Sequence, residues 1–551
     1  MKLKENIFIG VAWPYVNGQI HVGHLAGYIF PADIYARYRR AKGDDVLMVS
    51  GSDCFGTPIT VEAEKRGISY QALVDLYHPK HKHLFETLKI TFDNYTKTAN
   101  PIHINIVQSF FKKGLVDGVI TIEKSMQFYD AVNNKFLADR YVYGTCPKCG
   151  FDKARGDECD NCCSLLTVEE LVNPKSKNSD ESVALKETEH YYYNWQKSQD
   201  FLEEYFSQFG HSWRKWIQGE TKKWLDQGLI KRAITRDITW GVEIPTDIED
   251  KFKIEGLESK RIYVWFDAVI GYLSASIEHD AELYKKYWHN TEAKHYYFMG
   301  KDNLVFHTLF WPYQIHSYDN SLNLPNYNIV NNFLNLDGQK FSKSRGVTID
   351  SLEIVEEFGL EQVKYYITSI MPENTDSSFN WEDFEQKVNS VLVGNYGNFV
   401  FRSAKLLEKA TALDYTHSSY KEICDTLSQL VTKSDTHIKN CEYKKYLETV
   451  MEIASLGNKT LQDKQPWMIK NDNDQYNKTI SLIIPILYSL AIVSVPIFFD
   501  SSKKILNMLG LQEDKWSDDF HNQIINVIPN IKINLADVAP LFTKIELKKV
   551  D

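Results

Sequence analysis

Apolar positions change period twice near the start of the chain. Ile7 to Trp13 is a continuous apolar, β-branched run that breaks at Pro14 and loops through Asn17 and Gly18. A helical period then sets in at His21 and carries Tyr28, Ile29, Ile34, Tyr35 and Tyr38 as one stripe to about Ala41, before a second apolar run, Val46-Leu47-Met48-Val49. Strand, helix, strand predicts an α/β fold with a doubly wound parallel sheet, whose ligands lie at the carboxyl ends of the strands. Trp13 and Asp53 fall at two such ends, although Asp53 equally suits a helix N-cap.

The β/α alternation lapses and then resumes. Residues 60–115 look mostly helical, Val119 to Tyr143 reads as short strands, and Tyr192 to Leu229 is helical and aromatic, so roughly 116–235 is an insertion that splits the sheet domain. After Arg236, R-I-Y-V-W-F-D-A-V-I-G-Y delivers Trp265, Ala268 and Tyr272 to one face if the chain turns helical after Trp265. In H-Y-Y-F-M-G-K-D-N-L-V-F-H-T-L-F-W a strand over Tyr296 to Met299 precedes a helix with His307 and Trp311 at i and i+4. With 12 Trp, 32 Tyr and 29 Phe in the chain, core packing is the default for each of these aromatics. From about residue 386 the pattern is amphipathic helix only. Leu482 to Phe499 has no charge and nearly suffices to span a bilayer, but Pro485 and Pro496 interrupt it, and we read it as the core helix of a bundle.

Length and charge narrow the class. With 551 residues the chain needs three or four cores. A net charge of −10 excludes an evenly basic nucleic-acid binder but leaves local basic strips open. Met1 to Asn6 is polar and the apolar run after it is too short for a signal peptide, which predicts a cytoplasmic protein.

Three motifs carry chemistry. His21 and His24 lie on one face of a helix's first turn, with Gly23 leaving room for a ligand, where backbone N–H groups and the dipole favour a phosphate. Lys340-Phe341-Ser342-Lys343-Ser344, in L-D-G-Q-K-F-S-K-S-R-G, would by itself be a solvated loop. Cys146-Pro-Lys-Cys149 and Cys159-Asp-Asn-Cys162 have the spacing of a closed tetrahedral zinc site, with Cys163 beside Cys162 as a competitor for the fourth position. Four thiolates leave no open coordination position, so the metal is structural.

H-V-G-H paired with K-F-S-K-S resembles the HIGH and KMSKS signatures of class I aminoacyl-tRNA synthetases. Together with A-W-P-Y, D-C-F-G-T-P, the cysteine knuckle, V-W-F-D-A and G-K-D, in this order, the chain is similar to the methionyl-tRNA synthetases over almost its whole length. Val269 replaces a proline common after the D-A pair, and Phe55 stands where another residue is often found. The resemblance implies a Rossmann-like catalytic domain (1–115 and 236–325), a connective insertion with a zinc knuckle (116–235), a KFSKS-loop and stem-contact region (326–385) and an α-helical anticodon-binding domain (386–551). It implies a methionine pocket of Ala12, Trp13, Tyr15, Asp53, Trp265, Ala268, Tyr272, His307 and Trp311. His21, Gly23, His24, Lys340, Ser342 and Lys343 would bind ATP, with His21, His24, Lys340 and Lys343 catalytic, and Asn398, Arg402 and Trp467 would contact the anticodon. Expected partners are ATP with Mg2+, L-methionine and tRNA(Met), elongator and initiator; one structural Zn2+, a monomer and no membrane complete the expectation.

The alternative is a class I synthetase of another amino-acid specificity. Leucyl, isoleucyl and valyl enzymes usually carry an editing domain for which this insertion is too short, and a cysteinyl enzyme uses an open zinc. A small-molecule adenylyltransferase would not need the helical bundle, and a non-catalytic RNA-binding descendant would not need His21, His24, Lys340 and Lys343.

Overall fold

The structure, a computed structural model, describes residues 4–547 except 138–140, 157, 158, 160, 163, 165, 178–180, 230, 337, 338, 341–347, 411, 412, 470, 513, 514 and 536–538; at 135, 339 and 340 it describes the backbone alone. Strands β1 (Asn6–Val11), β2 (Asp45–Ser52), β3 (Asn94–Lys97), β4 (Lys294–Gly300) and β5 (Tyr327–Asn331) form a parallel sheet in the order β5-β4-β1-β2-β3. Ile9 sits opposite Met48 on one side and Tyr296 on the other. Ile7, Phe8, Ile9 and Val11 are all buried, because helices cover both faces and a strand in that position is apolar throughout rather than alternating. The strand order reverses between β1 and β4, and the crevice beyond their carboxyl ends is where such a sheet binds ligands.

The expected helix after β1 is present but not uniform. His21 caps a turn at Val22–His24, Leu25–Ile29 opens to π geometry, and Phe30–Ala41 continues as α-helix. Pro31 has no N–H to offer the carbonyl of Gly27, and the chain widens just before it. The same device recurs after β4, where Phe306–Phe310 is π-helical ahead of Pro312 in Trp311–Tyr318. The 264–279 segment is helical from Val264 rather than a strand up to Trp265; the strand before it is Arg261–Ile262.

Between β3 and β4 the chain builds an antiparallel pair, Ile120–Asp130 with Ala184–Tyr193. From it projects a small three-stranded sheet of Val142–Thr145, Ala154–Arg155 and Val172–Ser176 that carries the cysteines. The C-terminal part is helical, with Ser418–Lys439 and Tyr443–Lys464 packed around Ile483–Ser494. The run Asn473–Ser494 is long and apolar enough to cross a membrane, but 94% of its most apolar stretch is buried inside the bundle, which makes it the expected core helix. It stops at Ser494, and Phe499–Met508 starts a new helix beyond Pro496. Tyr38 and Lys42 on the first helix both bond Asp435 of the bundle, at 3.1 and 3.0 Å, fastening the bundle to the sheet domain.

Candidate active site

A cavity of about 170 Å³ opens at the carboxyl ends of β1 and β2. Ala12, Trp13, Tyr15, Asp53, Trp265, Ala268, Tyr272 and His307 all line it, although they come from four separate stretches of chain. That volume lies below the roughly 300–1,000 Å³ of drug-sized sites and suits a guest the size of an amino acid. Trp311 does not reach the cavity. It is fully buried behind Tyr272, at 6.3 Å between ring centroids, and its Nε1 donates to the Tyr297 hydroxyl at 3.1 Å.

Asp53 supplies the charge. The chain continues past β1 alongside β2, with the Asp53 N–H donating to the Pro14 carbonyl (2.9 Å) and the Val16 N–H to the Asp53 carbonyl (3.2 Å). This ladder fixes the carboxylate beside Trp13 and Tyr15. Its Oδ1 accepts from the Phe55 N–H at 3.3 Å in an Asx turn, but the helix that follows, Thr57–Arg66, has Gly56 at its N-cap and no side-chain cap bond, so Asp53 is not a helix cap. Burial, and then the proximity of Asp267, push its carboxyl well above the usual carboxylate range. A buried carboxylate on a cavity wall with no cation beside it among the described residues favours a cationic guest, because pairing recovers the desolvation cost. Asp267 is itself buried, with His103 Nε2 at 3.6 Å as its neighbour. Burial drives the His103 imidazole down to about 3, so it brings no positive charge to the pair.

The aromatic walls are held by hydrogen bonds and by missing side chains. His307 Nδ1 donates to the Asn303 carbonyl at 2.9 Å, which leaves Nε2 to accept from the Tyr272 hydroxyl at 2.7 Å. Burial lowers His307 to about 4, so this neutral tautomer persists through the working pH range. The Trp13 indole lies in a slot between Gly51 and Gly271, where an added Cβ would come within 2.2 and 2.7 Å of the ring. At Gly51 the Cβ would also meet the Thr96 carbonyl of β3 at 2.7 Å, which the sheet holds in place. Gly51→Ala is therefore expected to displace Trp13 and raise the KM for the amino acid about tenfold or more, consistent with the 1–3 kcal/mol that overpacking costs. An unchanged KM in the exchange assay described below would show that Trp13 is not a wall the substrate uses.

Tyr28, Asp302, Asn303 and Phe306 also line the cavity. Tyr28 reads in sequence as one more member of an apolar helix stripe, and Phe306 as one of many aromatics. Asp302 had a signal, since it lies inside the G-K-D motif.

His21 and His24 stand at the cavity's edge with ring centroids 3.9 Å apart. The expectation of free backbone N–H groups there is not met. Gly23 N–H donates to His21 Nδ1, His21 N–H to His24 Nδ1 (both 3.2 Å), and Val22 N–H to the Ile349 carbonyl. This reciprocal cap uses both Nδ1 atoms as acceptors, so each neutral ring carries its proton on Nε2. The amides of this turn are thus spent within the cap and on Ile349. Lys340 pairs with Asn335 through its backbone, while Phe341, Ser342 and Lys343 lie outside the described residues. The chain just beyond them is docked on the histidine motif: Ser351 N–H donates to the Ile20 carbonyl, and His21 bridges Asp350.

The four cysteine sulfurs lie within 4.8 Å of one another, with Cys146 to Cys162 at 3.9 Å and Cys149 to Cys159 at 3.6 Å. Metal–sulfur bonds of about 2.3 Å in a tetrahedron put sulfurs roughly 3.8 Å apart, and disulfides would need about 2.05 Å. The set fits a bound metal ion and not two disulfides. Cys162 completes it; Cys163 lies outside the described residues. In the bundle, Arg402 lies over the Trp467 ring at 5.2 Å and Asn398 is exposed one helical turn away. Trp467 is 38% exposed, so it is a surface platform and not core.

The parallel sheet with its crevice at the switch point and the helical bundle agree with the class I tRNA synthetases, and the family models show that class. The family model "tRNA synthetases class I (M)" matches residues 7–404, and "Anticodon binding domain of methionyl tRNA ligase" matches 414–551. The chain belongs to the methionyl-tRNA synthetase family. It is 39% identical over 525 residues to a methionine–tRNA ligase of Cytophaga hutchinsonii, covering 92% of this chain and 75% of that one. It is 36% identical over 553 residues to a methionine–tRNA ligase of Streptococcus pneumoniae, covering 99% and 98%. In fold it is similar to the Mycobacterium tuberculosis methionyl-tRNA synthetase in complex with methionyl-adenylate, with a TM-score of 0.75 at 22% identity over 92% of this chain and 94% of that one.

Proposed function

We propose that this methionine–tRNA ligase binds L-methionine in the cavity with its ammonium on Asp53 and its thioether among Trp13, Trp265, Tyr272 and Phe306, aromatic surfaces that suit a polarisable, flexible side chain. The observation that carries the reading is the buried Asp53 carboxylate, which has no cation beside it among the described residues and lines an aromatic cavity. His21 and His24, with Gly23 between them, hold ATP. Lys343, helped by Lys340 and Ser342, carries charge on the phosphates; Mg2+ accompanies the nucleotide and offsets more of it. A methionine carboxylate oxygen attacks the α-phosphorus, pyrophosphate leaves, and the 3′-terminal ribose hydroxyl of the tRNA then takes the acyl group as AMP departs. The chain supplies no nucleophile, so positioning and electrostatics carry the rate.

Trp265 also lines a groove of about 930 Å³ that includes Lys124, Lys148, Lys231, Arg232 and Trp224 beside Glu169, Glu170 and Glu220. Cations and an aromatic leading to the acyl group suit the unpaired end of tRNA(Met), elongator or initiator. Asn398, Arg402 and Trp467 meet its anticodon, and we divide the chain at 115, 235, 325 and 385 as the sequence expects. We assign the protein to the cytoplasm as a monomer.

The cysteines hold one structural Zn2+. The core beneath them is small: among the described residues Phe128, Leu137, Val142, Ala154, Leu166 and Leu171 are its buried members besides two of the cysteines themselves. So few side chains do not hold a lobe folded without a metal. Chelation is expected to release one zinc per chain and raise amide hydrogen exchange across 142–176, with the central sheet unaffected. Unchanged exchange in that lobe after zinc release would rule out the structural role.

The test of the whole reading is amino-acid-dependent exchange of labelled pyrophosphate into ATP with each of the twenty amino acids. Exchange with methionine alone supports it; exchange with another amino acid transfers the assignment to the alternative synthetase.

A further inference from the structure

One arginine sits where the insertion, the catalytic sheet and the anticodon-binding bundle meet. Arg214 precedes the helix Lys215–Gln227 in extended conformation. Its Nη1 donates to the Val330 carbonyl, to Asn331 Oδ1 and to the Glu373 carbonyl, and its Nη2 to the Cys441 carbonyl, all at 2.8 Å. Val330 and Asn331 end β5, while Cys441 lies in the turn between the bundle helices Ser418–Lys439 and Tyr443–Lys464. That turn is constrained on its own account, since Cys441 has φ of 55°. Glu373 grips it a second time: its carbonyl accepts from Arg214 and from Trp216 Nε1, and its Oε1 accepts the Lys444 N–H at 3.0 Å at the start of the second bundle helix.

The sheet side of this junction is anchored to the site. Asn331 is fully buried, and its Nδ2 donates to the Ala26 carbonyl at 3.0 Å, within the π turn that follows His24. The bundle turn is thus three hydrogen bonds from the histidine helix, through Arg214 and Asn331. Only a guanidinium offers donors in several fixed directions from one rigid plane; an ammonium in the same place has no such fork.

We infer that Arg214 is a positioning residue that fixes the angle between the anticodon-binding bundle and the catalytic sheet, and so sets where a tRNA held by the bundle presents its acceptor end. The residues assigned to adenylate formation all lie outside the bundle, and Arg214 is in neither the anticodon set nor the groove assigned to the tRNA end. A small rotation at the pivot is magnified along the length of the tRNA, and misplacement by about 1 Å can cost 10²-fold in rate. The inference rests on the proposed order of the reaction, methionine activation followed by transfer.

The experiment is single-turnover transfer from enzyme-bound methionyl-adenylate to tRNA(Met), beside methionine-dependent pyrophosphate exchange and a tRNA binding titration, on wild type, Arg214→Lys and Trp216→Phe. Arg214→Lys is expected to slow transfer at saturating tRNA by about tenfold or more, leaving exchange and tRNA Kd within twofold. Trp216→Phe, which removes a bond to Glu373 but none to the turn, should match wild type. If Arg214→Lys does not fold, Glu373→Ala, which removes the Oε1 acceptor of the Lys444 N–H, loosens the same turn and is expected to show the same selective defect. Unchanged transfer overturns the inference, as does a loss of exchange in proportion to transfer, which would make Arg214 a general stabiliser. Absence of exchange in wild type would instead overturn the assigned activity.

Discussion

Asp53→Ala is expected to lower kcat/KM for methionine in pyrophosphate exchange by a factor between about thirty and several thousand. This is the 2–5 kcal/mol lost when one member of a buried charge pair is truncated, at about 1.4 kcal/mol per tenfold. The same residue has the opposite effect on stability. Its carboxyl is raised in the folded protein above the ordinary 3.8. The folded state therefore binds more protons than the unfolded one, and stability falls as pH rises from about the ordinary value through the raised one. This is the reverse of a salt-bridged aspartate. Asp53→Asn, which keeps an acceptor for the Phe55 N–H, is expected to melt higher than wild type at pH 7 without substrate, and to lose that advantage near pH 4. Methionine should raise the melting temperature of wild type and not of the variant. A variant that melts lower than wild type at neutral pH would mean the carboxylate has a compensating partner. Retained exchange would remove it from the ammonium site.

His24→Ala is expected to reduce kcat for exchange by about 10²–10³, the range for removing one donor aimed at developing charge, with the KM for methionine changed little. The size of the effect follows from the cap. His24 Nδ1 accepts the His21 N–H, so its loss removes an imidazole from the nucleotide site, leaves that N–H without its acceptor and takes away the ring packed on His21, which the Gly23 N–H still holds. Loss of the cap should cost about 1 kcal/mol of stability, measurable by denaturant unfolding and separate from the kinetic effect. A kcat and an ATP KM both within twofold of wild type would take His24 out of the nucleotide site.

Much of this was legible because the signals are local. Strand β1, the loop and the histidine helix announce themselves by a change of period, and the cysteine pairs need only short spacings to declare a tetrahedral site. Polar residues blurred the edges. Strand β2 runs to Ser52, beyond the apolar Val46–Val49, because Ser52 finds His78 and Tyr95 at 2.9 and 3.0 Å and can be buried at no loss. The π turns were invisible to an apolar stripe, which has nearly the same pattern in either helix; the prolines that follow them were the available sign.

Sequence alone determined the sheet class, the insertion, the helical C-terminal part and which residue types meet at the carboxyl ends of β1, β2 and β4. All of these depend on periodicity and on neighbours a few residues apart. Tertiary structure decided which aromatics are walls and which are core. Trp311 and Tyr272 both lie on helices next to the site, yet one is sealed behind the other. It decided that Gly51 and Gly271, 220 residues apart in number, make one slot for Trp13, and that Arg214 joins β5 to the bundle. These contacts follow from the order of strands in the sheet and the seating of one domain on another, and no local spacing along the chain encodes either.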